Sequence, residues 1–190
     1  MNEQQSQIEL YVNLENDEQN TAAEHMLSTL DLDSVVKNTL QAAGISQDVL
    51  LTILIADDTM IQEMNKQYRE QNKPTDVLSF PLLDKPLVYA PPEQLWSSSE
   101  TSEGAVKEEP PTFVTPSELV TNLGDIAISW PTVQRQAKEA GHTTTYELLY
   151  LVAHGVLHLI GYDDHSEAGY SAMVQIQEHV LQAMGQKAQQ

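Results

Sequence analysis

The chain has 190 residues, no cysteine, and a formal charge of −19 from 28 acidic and 9 basic side chains. That length fits one domain, 1–190, carrying an insertion, and the absence of cysteine excludes disulfides and thiolate metal ligands. The charge argues against a general coat of nucleic acid and leaves phosphate binding to a local basic patch. No apolar run reaches the ~20 residues of a membrane span. MNEQQSQIEL lacks the basic and apolar regions of a secretory signal, so a cytoplasmic location with no membrane partner is expected.

Residues 7–13, QIELYVN, alternate apolar and polar and predict a strand. The acidic stretch 14–24 predicts a loop, and the spacing of Leu27, Leu30, Val35, Val36 and Leu40 predicts one helix over 25–43. VLLTILIA at 49–56 predicts a buried strand. Asp57 or Asp58 can cap the next helix, with Ile61, Met64 and Tyr68 inward and an end before Pro74. DVLSFP at 76–81 predicts a short edge strand. Residues 82–120 change texture: six prolines, the run SSSETSEG, and seven acidic residues to two lysines predict a long, loosely packed insertion.

Order resumes with a strand at 123–129, LGDIAIS, and a helix from Pro131 to about Ala140. Thr144 and Glu147 have capping-box spacing for the following helix, which Gly161 ends. A last helix runs from about Ser166 to Met184 with Tyr170, Met173, Val174, Val180 and Leu181 inward, before a fraying GQKAQQ tail. About four short strands and five helices predict the α+β class, a mixed sheet covered by helices.

The chemistry concentrates in HGVLHLIGYDDH, residues 154–165. His154 and His158 are four apart, so a helix places both on one face at a separation suited to one metal ion. Gly161 lets the chain turn back and return a third ligand, either Asp164 or His165. HxxxHxxG followed by another ligand is the skeleton of the metzincin zinc motif. In zinc peptidases a glutamate follows the first histidine as general base; here the residue is Gly155, which turns the expectation away from proteolysis. His25, His142 and His179 stand alone and are expected to be structural or exposed.

Lys66, Arg69 and Lys73 form the densest group of cations and would share a face if the helix reached Lys73. Cations at a helix C-terminus favour the dipole, but the planar fork of Arg69 also suits a phosphodiester.

Together, NKQYREQNKPTDVLSFP, LGDIAIS and HGVLHLIGYDDH resemble the three signature blocks of the YbeY family of rRNA-maturation endoribonucleases, over about residues 8–81 and 122–184. The resemblance implies a metzincin-like α+β fold with a four-stranded mixed sheet. It implies one zinc ion held by three histidines, and cleavage of single-stranded RNA in 16S rRNA 3′-end maturation and ribosome quality control. Ribosomal RNA and ribosomal proteins are the implied partners, with no DNA. His154 and His158 match the first two ligands and Arg69 the family arginine tied to activity. Asp125 matches a recurrent aspartate with a structural or catalytic role.

The usual ending, HGxLHLxGYDH, is one residue shorter than the ending here. Asp164 occupies the family's third-ligand slot, and a turn bulged by one residue would return His165 instead. The three-histidine set favours His165, with the Asp164 carboxylate as the alternative. Two other functions fit the same residues: a non-catalytic ribosome-associated factor with structural zinc, and a metal-dependent hydrolase of a non-RNA substrate.

Overall fold

The computed structural model describes residues 4–98 and 120–186. Its central strand is the leucine- and isoleucine-rich segment β2 (Val49–Ala56), flanked by β1 (Ser6–Asn13) and β4 (Thr121–Ser129), with β3 (Val77–Pro81) at the edge. β1, β2 and β4 run parallel and β3 pairs antiparallel with β4, so the sheet is four-stranded, mixed and ordered β1-β2-β4-β3. Among the described residues there are six α-helices: α1 (Asp17–Ser28), α2 (Leu32–Ala42), α3 (Asp58–Arg69), α4 (Trp130–Ala140), α5 (Thr144–Ile160) and α6 (Glu167–Ala183). The α+β class and the four strands agree with the sequence expectation.

Period-two geometry sends Leu51, Ile53 and Ile55 to one sheet face, where they are fully buried with Ile126 and Ile128. There they meet the apolar faces of α2, α5 and α6, including Leu40, Val152, Val156 and Val180. Among the described residues the other face is covered at one end only, where Ile61 of α3 packs on Ala56, Leu78 and Ala127. Leu50, Thr52 and Leu54 remain half-buried there, so β2 is not buried on both faces as its composition predicts.

Helix α1 lies where a loop was expected. The Asn16 side chain accepts from the amides of Glu18 and Gln19, capping a first turn made acid-rich by Asp17 and Glu18. The helix buries only Ala23 and Leu27, which is why its apolar pattern is faint. The single helix predicted over 25–43 is broken after Ser28, and Asp31 caps the second piece through the amide of Ser34. The cap of α5 is Thr143 rather than Thr144, its hydroxyl accepting from Tyr146 N at 3.0 Å. Tyr170 of α6 faces solvent instead of the core.

Asp58 joins the first turns of α3 and α4. Its carboxylate accepts from Ser129 Oγ at 2.5 Å, Thr132 Oγ1 at 2.9 Å and Arg135 Nη1 at 2.9 Å. Burial alone would raise this carboxyl, but the three donors hold it below the ordinary 3.8.

Candidate metal centre

Helix α5 is apolar almost all round, and its packing explains the residue between the two histidine turns. Gly155 lies against β4: a Cβ built there would sit 2.8 Å from Ile126 Cγ2 and 2.9 Å from Ile126 Cδ1. No side chain fits unless the buried Ile126 side chain shifts. The position that carries a glutamate in zinc peptidases is therefore the contact between α5 and β4.

His154 and His158 lie one turn apart on the remaining polar strip, with side chains 19 % and 20 % exposed. Their Nε2 atoms converge to 3.0 Å. His158 Nδ1 lies 2.9 Å from the Tyr162 carbonyl, so the ring donates there and keeps its Nε2 lone pair for a metal. On α6, the buried Gln177 side chain donates Nε2 to Tyr150 O of α5 at 3.1 Å. Burial, then the nearby His158 ring, push His154 below its usual 6.5, toward the neutral form a metal requires.

Asp164 is the third member of the cluster. Its Oδ2 lies 3.5 Å from His154 Nε2 and 3.7 Å from His158 Nε2. The adjacent His158 ring is the largest influence on its carboxyl, which is held down to about 2 against the effect of burial. The chemistry of two imidazoles and one carboxylate fits a divalent zinc ion. His165 lines the same cavity but groups with Asp163 and Asp164 rather than with the two histidines: its side chain is 86 % exposed and its Nδ1 is hydrogen-bonded to Asp163 Oδ1. That bond raises His165 above the ordinary 6.5.

A cavity of about 380 Å³ opens over the cluster, walled by Ser79, Trp96, Asp76 and Arg69. Arg69 is the last residue of α3, which ends because Glu70 takes a left-handed conformation with φ 57°. Asn65, buried in α3, fixes the following loop by donating Nδ2 to Lys73 O at 2.9 Å. Arg69 donates Nη2 to Ser79 O at 3.2 Å, which brings its guanidinium to the cavity rim. The helix does not reach Lys73, so the predicted common face of the three cations does not form, and only Arg69 of them lines the cavity. Asp125 is not brought to the histidines. It is exposed and lines a separate, apolar groove with Tyr11, Tyr68 and Phe80.

The first part of the predicted loose insertion is fixed in place. Residues 82–98 strap the C-terminal end of α5, where helix carbonyls lack internal partners. Leu87 N donates to Ile160 O at 2.8 Å, Trp96 N to Gly161 O at 2.9 Å, and Trp96 Nε1 to His158 O at 2.8 Å. Gln94 O accepts from Asp163 N at 2.9 Å. Gly161, with φ 132°, makes the strap's close approach possible: a Cβ there would lie 2.5 Å from Pro86 Cβ. The remainder of the insertion, 99–119, lies outside the described residues, as do the last four of the tail. Sequence reasoning missed Trp96. The apolar residues Leu87, Val88, Leu95 and Trp96 within the proline-rich stretch were the available signal for the strap.

The family model for Endoribonuclease YbeY matches residues 12–185. The chain belongs to the YbeY family. The Endoribonuclease YbeY of Desulforamulus reducens is 40 % identical over 154 residues, covering 81 % of this chain and 84 % of that relative. The one from Caldicellulosiruptor bescii is 33 % identical over 172 residues, covering 90 % and 96 %. The one from Dehalococcoides mccartyi strain BAV1 is 36 % identical over 148 residues, covering 78 % and 82 %. The solution structure of TM1509 from Thermotoga maritima aligns over 94 % of this chain and 91 % of its own, at 22 % identity and a TM-score of 0.44.

Proposed function

We infer that this YbeY-family chain is a zinc-dependent endoribonuclease acting on single-stranded ribosomal RNA in the cytoplasm, in maturation of the 16S rRNA 3′ end and in ribosome quality control. The observation that carries the reading is the convergence of His154, His158 and Asp164 at the base of a cavity whose rim holds Arg69. The family's name supports the RNA substrate. Gly155, pressed on Ile126, leaves no room for a peptidase glutamate and argues against peptide hydrolysis.

His154 and His158 would hold the zinc ion, with a third ligand from the turn 163–165. Bound there, zinc supplies Lewis-acid polarisation of a phosphoryl oxygen. The chain's own residues provide the rest. The Tyr162 carbonyl keeps the His158 ring in the tautomer that presents Nε2. Arg69, anchored by one N–H on Ser79 O, has further donors for a phosphate oxygen and offsets charge that builds up on the phosphoryl group. Trp96 gives the cavity an aromatic wall fixed by its N–H. With a net charge of −19 over the whole chain, contact with the ribosome falls to protein partners as well as RNA.

The test is cleavage of a defined single-stranded RNA by zinc-loaded, chelated and His154→Ala protein. Cleavage is expected only in the first. Arg69→Ala should lower turnover while leaving zinc content unchanged. Equal cleavage by all three preparations, in samples free of contaminating nuclease, would remove the assignment.

A further inference from the structure

The family resemblance favours a third histidine, yet the turn that would supply it presents a carboxylate. We propose that this chain has exchanged its third imidazole for Asp164, giving a two-histidine, one-carboxylate metal site, with His165 outside the coordination sphere. The proposal rests on the metal reading above and concerns the identity of one ligand within it.

The distances carry the argument first. Four ligand atoms at zinc bond lengths of about 2.0–2.2 Å form a tetrahedron with edges of about 3.3–3.6 Å. The three edges here are 3.0, 3.5 and 3.7 Å, between the two Nε2 atoms and Asp164 Oδ2. One ion fits among them without rearrangement, and the cavity lies on the open side.

The fixing of the turn carries it second. Asp163 N is bound to Gln94 O, and Tyr162 N donates to Leu157 O at 3.0 Å, so the chain is pinned just before Asp164. Just after it, Ser166 caps α6 through Gly169 N at 2.9 Å and donates its hydroxyl to Glu93 O. Between these points the Asp163 carbonyl is pressed onto Gly169, where a Cβ would lie 1.8 Å from the oxygen. The extra residue of the turn is taken up by Asp163, whose Oδ1 accepts from the backbone N of His165 at 3.3 Å and from its ring. Bringing the His165 ring to the histidine pair would give up its bond to Asp163 Oδ1, which holds it at the mouth of the same cavity. Asp164 needs no such movement.

The exchange alters the charge of the centre. A zinc ion with three neutral imidazoles keeps its full double charge, whereas one carboxylate ligand reduces it to a single charge. The carboxylate also makes the donor set harder, which favours oxygen-loving cations such as manganese relative to a three-histidine site.

Zinc K-edge X-ray absorption on the zinc-loaded wild-type chain distinguishes the two sets directly, because imidazole rings give multiple-scattering features that carboxylates do not. Two imidazoles are expected. Zinc affinity, read by chelator competition, should fall for Asp164→Ala by at least the 10–100-fold that losing even an outer partner costs. It should stay within about threefold for His165→Ala, as for a surface change of about 0.5 kcal/mol. Asp164→His, with its fold checked by circular dichroism, should keep zinc and show three imidazoles. Three imidazoles in the wild type, or zinc lost with His165→Ala and kept with Asp164→Ala, overturns the exchange and leaves the metal reading standing. A wild-type chain that takes up no zinc overturns the metal reading, and the exchange with it.

Discussion

The two halves of HGVLHLIGYDDH are held by different physics. His154 and His158 sit on α5, where backbone hydrogen bonds and burial of Leu151, Val152 and Val156 set the spacing of the rings before any ligand arrives. Asp163, Asp164 and His165 sit in a turn held from outside, by Gln94 and Glu93 of the strap and by the first turn of α6. Changing the helical half therefore disturbs the core. Changing the turn half re-aims one ligand while the core stays intact. A turn residue can be exchanged more readily than one on the helix, because a one-residue insertion in a turn needs no repacking of a helix.

The difference can be broken most forcefully at Gly155. Gly155→Glu should cost about 3 kcal/mol or more, from overpacking against Ile126 and burial of a charge. Chemical denaturation would show it, and a stable, well-folded variant would contradict the tight α5–β4 contact. Gly169→Ala attacks the turn half. Its methyl collides with the Asp163 carbonyl, so a loss of about 1–3 kcal/mol is expected, together with weaker zinc binding. Unchanged zinc affinity would show that the turn does not aim the third ligand.

Trp96→Phe tests the junction of the two halves. It leaves the His158 carbonyl without its strap donor and should cost about 1 kcal/mol, with faster amide exchange along residues 87–96. Asp58 lies outside both halves and gives a reference. Asp58→Asn should cost about 0.5–1 kcal/mol at neutral pH, since the carboxylate is partly exposed. The folded carboxyl titrates below 3.8, so its contribution is complete above the unfolded value and fades as pH falls through the folded one. The wild-type advantage should vanish in acid. An advantage independent of pH would mean that the carboxylate's charge is not what Asp58 contributes.

Legibility in the sequence follows the same division. The four strands, α3 to α6 and the histidine pair were readable because their signals are local: period-two and period-3.6 patterns, capping residues, and an i, i+4 spacing. Asp164 was visible only as an alternative, since spacing cannot say which residue of a lengthened turn points inward. Helix α1 was missed because it buries two side chains and hardly shows a stripe. The strap was missed because its partners lie far along the chain; Trp96 and His158 are 62 positions apart. Composition describes 82–120 as a whole as polar and proline-rich, while 82–98 alone carries Leu87, Val88, Leu95 and Trp96, and its order comes from the free carbonyls at the end of α5. Arg69 stood out in the sequence as a cation suited to phosphate, but its aim depends on the left-handed Glu70 and on the Ser79 carbonyl.

The most direct measurement takes one preparation through a metal cycle, following zinc content and single-stranded RNA cleavage together. One zinc per chain with cleavage, loss of both on chelation, and return of both when zinc is restored is the predicted result. Cleavage that persists at full rate after zinc has been removed would contradict a metal centre at His154, His158 and Asp164 as the site of the reaction.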